Sequence, residues 1–138
     1  MDIRIVKSKT LKETPKYAKE GGAGIDLTAD SIIKEDDGQI TYGTGISIEI
    51  PVGYVGLIFP RSSIRNKPLV MANSVGVIDS GEIQCTFNKL EDTFLSSDIY
   101  LIGDRICQII ILPIPYVNLI PVTKLSKTER GVKWPWLY

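Results

Sequence analysis

At 138 residues, with 43% hydrophobic and 23% charged residues, the chain can bury a core as one domain without metal or disulfide staples. Lys+Arg and Asp+Glu number 16 each, so no net field draws it to nucleic acid or an anionic membrane, and an anionic ligand needs a local site. No apolar run approaches the roughly 20 residues of a membrane span, and the opening MDIRIVKSK lacks a signal-peptide core; both point to the cytoplasm, or to the host cytoplasm for a viral protein.

Taken in chain order, the pattern is one of short strands. DIRIV alternates polar and apolar residues, and turn chemistry follows at DDGQ around Asp37-Gly38 and at YGTG, Tyr42 to Gly45. ISIEI then sets Ile46, Ile48 and Ile50 on one face, PVG at Pro51 to Gly53 reads as a turn, and VGLIF aligns Val55, Leu57 and Phe59. After PRSS a short helical turn is expected, with Ser62 or Ser63 as its N-cap. IQCTF aligns Ile83, Cys85 and Phe87, IGD at Ile102 to Asp104 marks another turn, and ICQIIILPI is apolar on both faces, as a central strand or one buried between subunits would be. The spacing predicts an all-β fold, a distorted jelly-roll-like β-barrel with at most one short helix. A β domain would span residues 1–129, and residues 130–138, where alternation gives way to two Trp, a Pro and charge, would form a C-terminal arm.

Chemistry has few carriers. Histidine is absent, which removes the commonest general base and the usual soft metal ligand, and leaves carboxylates and a hard cation. Cys85 and Cys107 lie in strand-like apolar stretches and read as buried small hydrophobes of a reducing compartment. Polar residues gather instead in four segments at strand ends: GAGIDLTA, PRSSI, NSVGVID and GDRICQ. Each has a plain structural reading: Asp26 as a turn former, Arg61 as a surface ion pair, Ser62 as a helix cap, Gln108 as a ladder polar group. Asp79, ahead of Ser-Gly, would then simply start a hairpin.

In their order and spacing these segments resemble four of the five motifs of the trimeric dUTPase family, over roughly residues 20 to 131. Ala23, Gly24, Asp26 and Leu27 match the first motif, Pro60 to Ser63 the second, Asn73 with Gly76 to Asp79 the third, and Gly103 to Ile106 with Gln108 the fourth. The resemblance implies hydrolysis of dUTP to dUMP and pyrophosphate by a homotrimer with a swapped C-terminal arm and sites at subunit interfaces. Mg²⁺ would be held by the substrate phosphates and water, with no direct protein ligand and Asp26 behind it. Asp79 would deprotonate the water attacking the α-phosphorus, Arg61 and Ser62 would meet the phosphates, and Gln108 would reach them from a neighbouring subunit. Ser63, Asn73, Gly76, Ile83 and Arg130 complete the implied substrate contacts. Such a reaction asks for charge neutralisation and in-line positioning more than for a nucleophilic side chain, and a carboxylate can serve as base without histidine.

Two motifs depart from the family. The third usually reads Ile-Asp-x-x-Tyr-Arg-Gly-Glu-Ile, with the Tyr packed on deoxyribose; here Asp79-Ser80 runs straight into Gly81-Glu82-Ile83, as if three residues including the Tyr were missing, so rejection of ribose is expected to weaken. The fifth keeps Arg130-Gly131 but replaces a Gly-rich arm with VKWPWLY, whose Trp134 and Trp136 would either stack on a base or pack the tail on a neighbour. Two other readings follow: a dCTP deaminase of the same superfamily, with Glu82 as proton shuttle, and a binding or regulatory protein on an impaired dUTPase scaffold.

Overall fold

The computed structural model describes residues 1–90 and 96–126. Among the described residues nine strands form two open antiparallel sheets: β1 (Arg4–Lys7), β2 (Ile25–Thr28), β3 (Ser31–Glu35), β4 (Gln39–Glu49), β5 (Tyr54–Pro60), β6 (Leu69–Met71), β7 (Gly76–Ile78), β8 (Ser80–Lys89) and β9 (Arg105–Pro113). One sheet runs β1-β4-β8-β6, with β3 also paired to β4; the other runs β2-β9-β5-β7. This is the expected all-β, jelly-roll-like architecture, with the core between the sheets. Ile40, Tyr42, Ile83, Cys85 and Phe87 face Leu27, Ile58, Cys107 and Ile109.

The alternation explains the strands that formed. Every second residue of β8, Ile83, Cys85 and Phe87, is buried, which is what a strand packed on one face requires. β9, apolar on both faces, is an inner strand with β2 on one side and β5 on the other. In β5 the core takes Gly56 and Ile58, while Val55, Leu57 and Phe59 share the opposite, half-covered face. The DDGQ turn joins β3 to β4, and the Asp36 carboxylate accepts hydrogen bonds from the backbone amides of Gly38 and Gln39, both at 2.8 Å. These two donors hold the Asp36 carboxyl below the usual carboxylate range. Pro51 to Gly53 and Ile102 to Asp104 are turns as well, with positive φ at Gly53 and Gly103.

Two expectations are corrected. YGTG is no turn but the middle of β4, where the register with β8 shifts between Gly43 and Ser47. Its glycines serve close approach: a Cβ on Gly45, at φ +73°, would lie 2.8 Å from the Asp30 carboxylate and 2.9 Å from the Ser8 hydroxyl. Neither Ser62 nor Ser63 caps the turn after PRSS. Ser62–Asn66 is a 3-10 turn whose N-cap is Arg61, without a side-chain capping bond; a second 3-10 turn spans Ser96–Asp98. β9, the last strand among the described residues, ends at Pro113. Ile114 still donates its amide to the Gly53 carbonyl at 2.8 Å, but residues 114–126 are exposed and belong to no strand.

No helix among the described residues is long and apolar enough to cross a membrane. Cys85 and Cys107, far apart in sequence, meet across the two sheets as free thiols, both buried. Their mutual hydrogen bond, followed by burial, pushes the Cys107 thiol far above the usual thiol range, so they pack as the small hydrophobes expected of them.

Candidate functional site

Three of the four polar segments converge at one end of the β2-β9-β5 sheet. Register does this: Asp26 on β2 stands opposite Gln108 on β9, and Gln108 opposite Phe59 on β5, so Pro60 and Arg61 leave the sheet beside both. Strand parity then turns Asp26 and Gln108 to the outer face while Leu27, Cys107 and Ile109 face the core.

Arg61 donates from Nε to Asp26 Oδ1 at 2.9 Å, and Arg105 Nη1 lies 3.9 Å from Asp26 Oδ2. The Asp26 side chain is 15% exposed and that of Arg61 27%, so this is a half-sheltered pair in which one edge of the guanidinium is fixed and its remaining N–H groups are left for a ligand. Gln108 donates from Nε2 to the Pro60 carbonyl at 3.1 Å, which ties β9 to the residue preceding Arg61. Gly24 lies beneath: a Cβ there would collide with Gln108 Oε1 and come within 3.1 Å of Gln108 Cβ. The first motif's glycine is thus read as space for the fourth motif's glutamine. Gly24→Ala is expected to displace the Gln108 amide and raise KM for nucleotide several-fold with a smaller effect on kcat, checked by steady-state kinetics beside a Gln108→Ala control.

Ser62, first in the 3-10 turn, is exposed and free to meet a ligand. The Ser63 hydroxyl, implied as a substrate contact, is 3.2 Å from the hydroxyl of buried Tyr100.

The third segment stands apart. β7 pairs with β5 through Gly56↔Ile78 and Ile58↔Gly76, so Asp79 falls beside the start of β5, while Arg61 follows its end. That separates the two by about 20 Å along the strand at roughly 3.3 Å per residue. Asp79 is exposed and starts no hairpin, because β7 and β8 belong to different sheets and Asp79 is the one residue between them. Asn73 and Gly76 line a cleft of about 360 Å³ with Ile58, Met71 and Gln84. Ile83, also among the implied substrate contacts, has its side chain fully buried, as its parity with Cys85 and Phe87 requires, and its carbonyl accepts the Thr44 hydroxyl at 2.7 Å. Arg130, Gly131, Trp134 and Trp136 lie outside the described residues.

Sequence reasoning passed over Arg105, whose guanidinium is 58% exposed beside Asp26, and the segment Glu13 to Ala18, which walls a polar cavity of about 320 Å³ against Asp26 and Arg105. Arg105 was visible inside GDRICQ; the segment carried no signal, since only tertiary packing brings it to the site. Among the described residues no group of three or more His, Cys, Asp or Glu is placed to hold a metal ion. Asp26, its carboxylate held by Arg61, is a hard oxygen donor of the kind suited to the outer shell of a hydrated cation.

Fold and site together define an all-β protein that gathers Arg, Asp and Gln at one end of a sheet and presents a separate carboxylate where its two sheets join. The dUTPase family model matches residues 11–134. Over 136 residues the chain is 37% identical to the deoxyuridine 5'-triphosphate nucleotidohydrolase of Leifsonia xyli, covering 95% of this chain and 86% of the relative. Over 124 residues it is 40% identical to that of Corynebacterium diphtheriae, covering 86% and 80%. Among solved structures, dUTPase from Streptococcus mutans aligns with a TM-score of 0.68 at 25% identity, over 83% of this chain and 98% of that one. A Staphylococcus bacteriophage 80alpha dUTPase with dUpNHpp aligns at 0.73 and 21%, over 91% and 99%. The dUTPase of phage phi11, described with a structural Mg(II) ion, aligns at 0.75 and 19%, over 92% and 100%. The chain belongs to the dUTPase family.

Proposed function

We propose that this protein hydrolyses dUTP to dUMP and pyrophosphate, and that it does so as a homotrimer whose sites combine residues of different subunits. The observation that carries this reading is the division of the site: Asp26, Arg61 and Gln108 sit together at one end of β5, and Asp79 is exposed at the other. Each end is half a site, and a second copy brings the missing half. The names of the bacterial relatives and the dUpNHpp held by the phage 80alpha enzyme support the substrate.

In this reading Arg61 donates to phosphate oxygens with the N–H groups that Asp26 does not occupy. Ser62 donates its hydroxyl to an oxygen that gains charge as the bond to the leaving pyrophosphate breaks. Gln108, fixed against Pro60, orients the chain of phosphates. A water attacks the α-phosphorus in line with the departing oxygen while Asp79 of a neighbouring subunit takes its proton. Mg²⁺, when bound, would neutralise charge on the phosphates, and Asp26 would hold one of its waters. Residues 114–126 leave the body as an exposed, largely apolar ribbon, the element that would reach across to a neighbour and bring Arg130 there. A cytoplasmic location fits both a nucleotide substrate and two free buried thiols.

The test is incubation of the purified protein with dUTP, dCTP, dTTP and UTP in Mg²⁺, with pyrophosphate and ammonia both followed. Pyrophosphate from dUTP is the expected product, with some from UTP because the sugar-packing Tyr is missing. Ammonia from dCTP would replace this reading with deamination, and no product at all would leave a binding protein.

A further inference from the structure

We propose that Tyr100 is a positioning residue for the phosphate-facing turn: its buried hydroxyl clamps Ser63 and thereby holds Arg61 and Ser62 in place. The inference deepens the proposed function and rests on it for the roles of Arg61 and Ser62.

A 3-10 turn of five residues has little stability of its own, since its hydrogen bonds are poorly aligned and few. At its two ends the turn Ser62–Asn66 is closed by backbone bonds from Ile64 N–H to the Arg61 carbonyl at 3.1 Å and from Lys67 N–H to the Ile64 carbonyl at 3.0 Å. It has no side-chain cap, and none of its residues is buried. What holds it is the segment before β9. The Tyr100 hydroxyl meets Ser63 Oγ at 3.2 Å near the front of the turn. Behind it, Lys67 Nζ donates to the carbonyls of Ser97 at 2.9 Å and Ile99 at 3.2 Å and lies 5.1 Å above the Tyr100 ring.

Tyr100 is itself rigid. It is 2% exposed, its ring packs edge-on to Tyr42 at 6.3 Å and tilted to Phe87 at 5.5 Å, and its carbonyl accepts the Tyr42 hydroxyl at 2.6 Å. Burial raises its phenol above the ordinary tyrosine range, so the hydroxyl stays neutral and able to hydrogen-bond at any physiological pH. The clamp therefore runs from the core of the sandwich, through one hydroxyl pair, to the turn that presents Arg61 and Ser62. It also links the second motif to the fourth, because Tyr100 is followed within a few residues by Arg105 at the start of β9.

Tyr100→Phe removes the hydroxyl and keeps the ring, its packing and the Lys67 contact; Ser63→Ala removes the other end. Each is expected to lower kcat for dUTP by about 5- to 10-fold, the range of one lost hydrogen bond, with KM changed less than twofold. The double variant should be no worse than either single one. Ser63→Thr, which restores a hydroxyl, should recover most of the rate. Amide exchange at Ile64 and Lys67 should accelerate at least several-fold in Tyr100→Phe, while β4 and β9 amides stay protected. Unchanged kcat in both single variants, or additive losses in the double, would overturn the proposal even if the melting temperature drops. Exchange at Ile64 unaffected by Tyr100→Phe would overturn it without reference to turnover. An inactive wild type would instead remove the functional reading and leave the exchange result to decide the clamp.

Discussion

Replacing Asp79 by asparagine is expected to lower kcat by about 10²- to 10⁴-fold while nucleotide still binds, the range that a positioned general base contributes. The substitution keeps size and removes only the ability to accept a proton. Asp79 is exposed at a junction between sheets, so little stability should be lost. Its position also allows a sharper form of the test. Arg61→Ala should be nearly inactive for a different reason: phosphate charge is no longer met, and Asp26 loses its 2.9 Å partner. If each site joins Asp79 of one chain to Arg61 of another, co-assembling the two inactive variants restores turnover, because on random mixing about one site in four receives both intact residues. Mixtures no more active than the separate variants would refute the shared site.

Ending the chain after Pro113 is expected to give a folded monomer with no turnover. Residues 114–126 contribute no strand pairing to their own body, and Tyr116, Val117, Leu119, Ile120, Val122 and Leu125 are exposed, Leu119 by 85%. A run of that composition is a poor neighbour for water; each such side chain is worth about 1.5–3 kcal/mol when fully buried. Covered by adjacent copies it would hold a trimer together; removed, it leaves nine strands and a core that do not depend on it. Light scattering gives the readout. A second truncation after Ser126 keeps the ribbon and loses Arg130 and the two Trp, so it should stay trimeric and turn over slowly. A trimer that survives truncation at Pro113 would move the assembly surface to the outer face of β5, where Val55, Leu57 and Phe59 are half covered.

Much of this was legible in the residues, for reasons that differ by element. Strand existence follows from alternation in β8 and from apolar character on both faces in β9, so both were readable. Turn chemistry was less faithful. YGTG looks like a turn because glycine is usually there for its backbone freedom, whereas inside β4 Gly43 makes room for Ser31, and Gly45 combines a positive φ with close approach by Asp30 and Ser8. Ile83 shares the parity of Cys85 and Phe87, so the burial of its side chain was legible from β8 alone. The gap between Asp79 and Arg61 was not legible, since it depends on which strands pair across the fold and in what register. Nor was the Tyr100–Ser63 contact, which joins residues 37 apart in sequence through a loop with no motif.

The meeting of Cys85 and Cys107 across the sandwich has a practical side. Both sulfurs are sealed in, at 2% and 0% exposure, so a thiol reagent has nothing to attack until the two layers part. The speed of labelling then becomes a clock for rare openings of the body, and comparing that clock with and without nucleotide would tell how far occupancy of the rim tightens the middle.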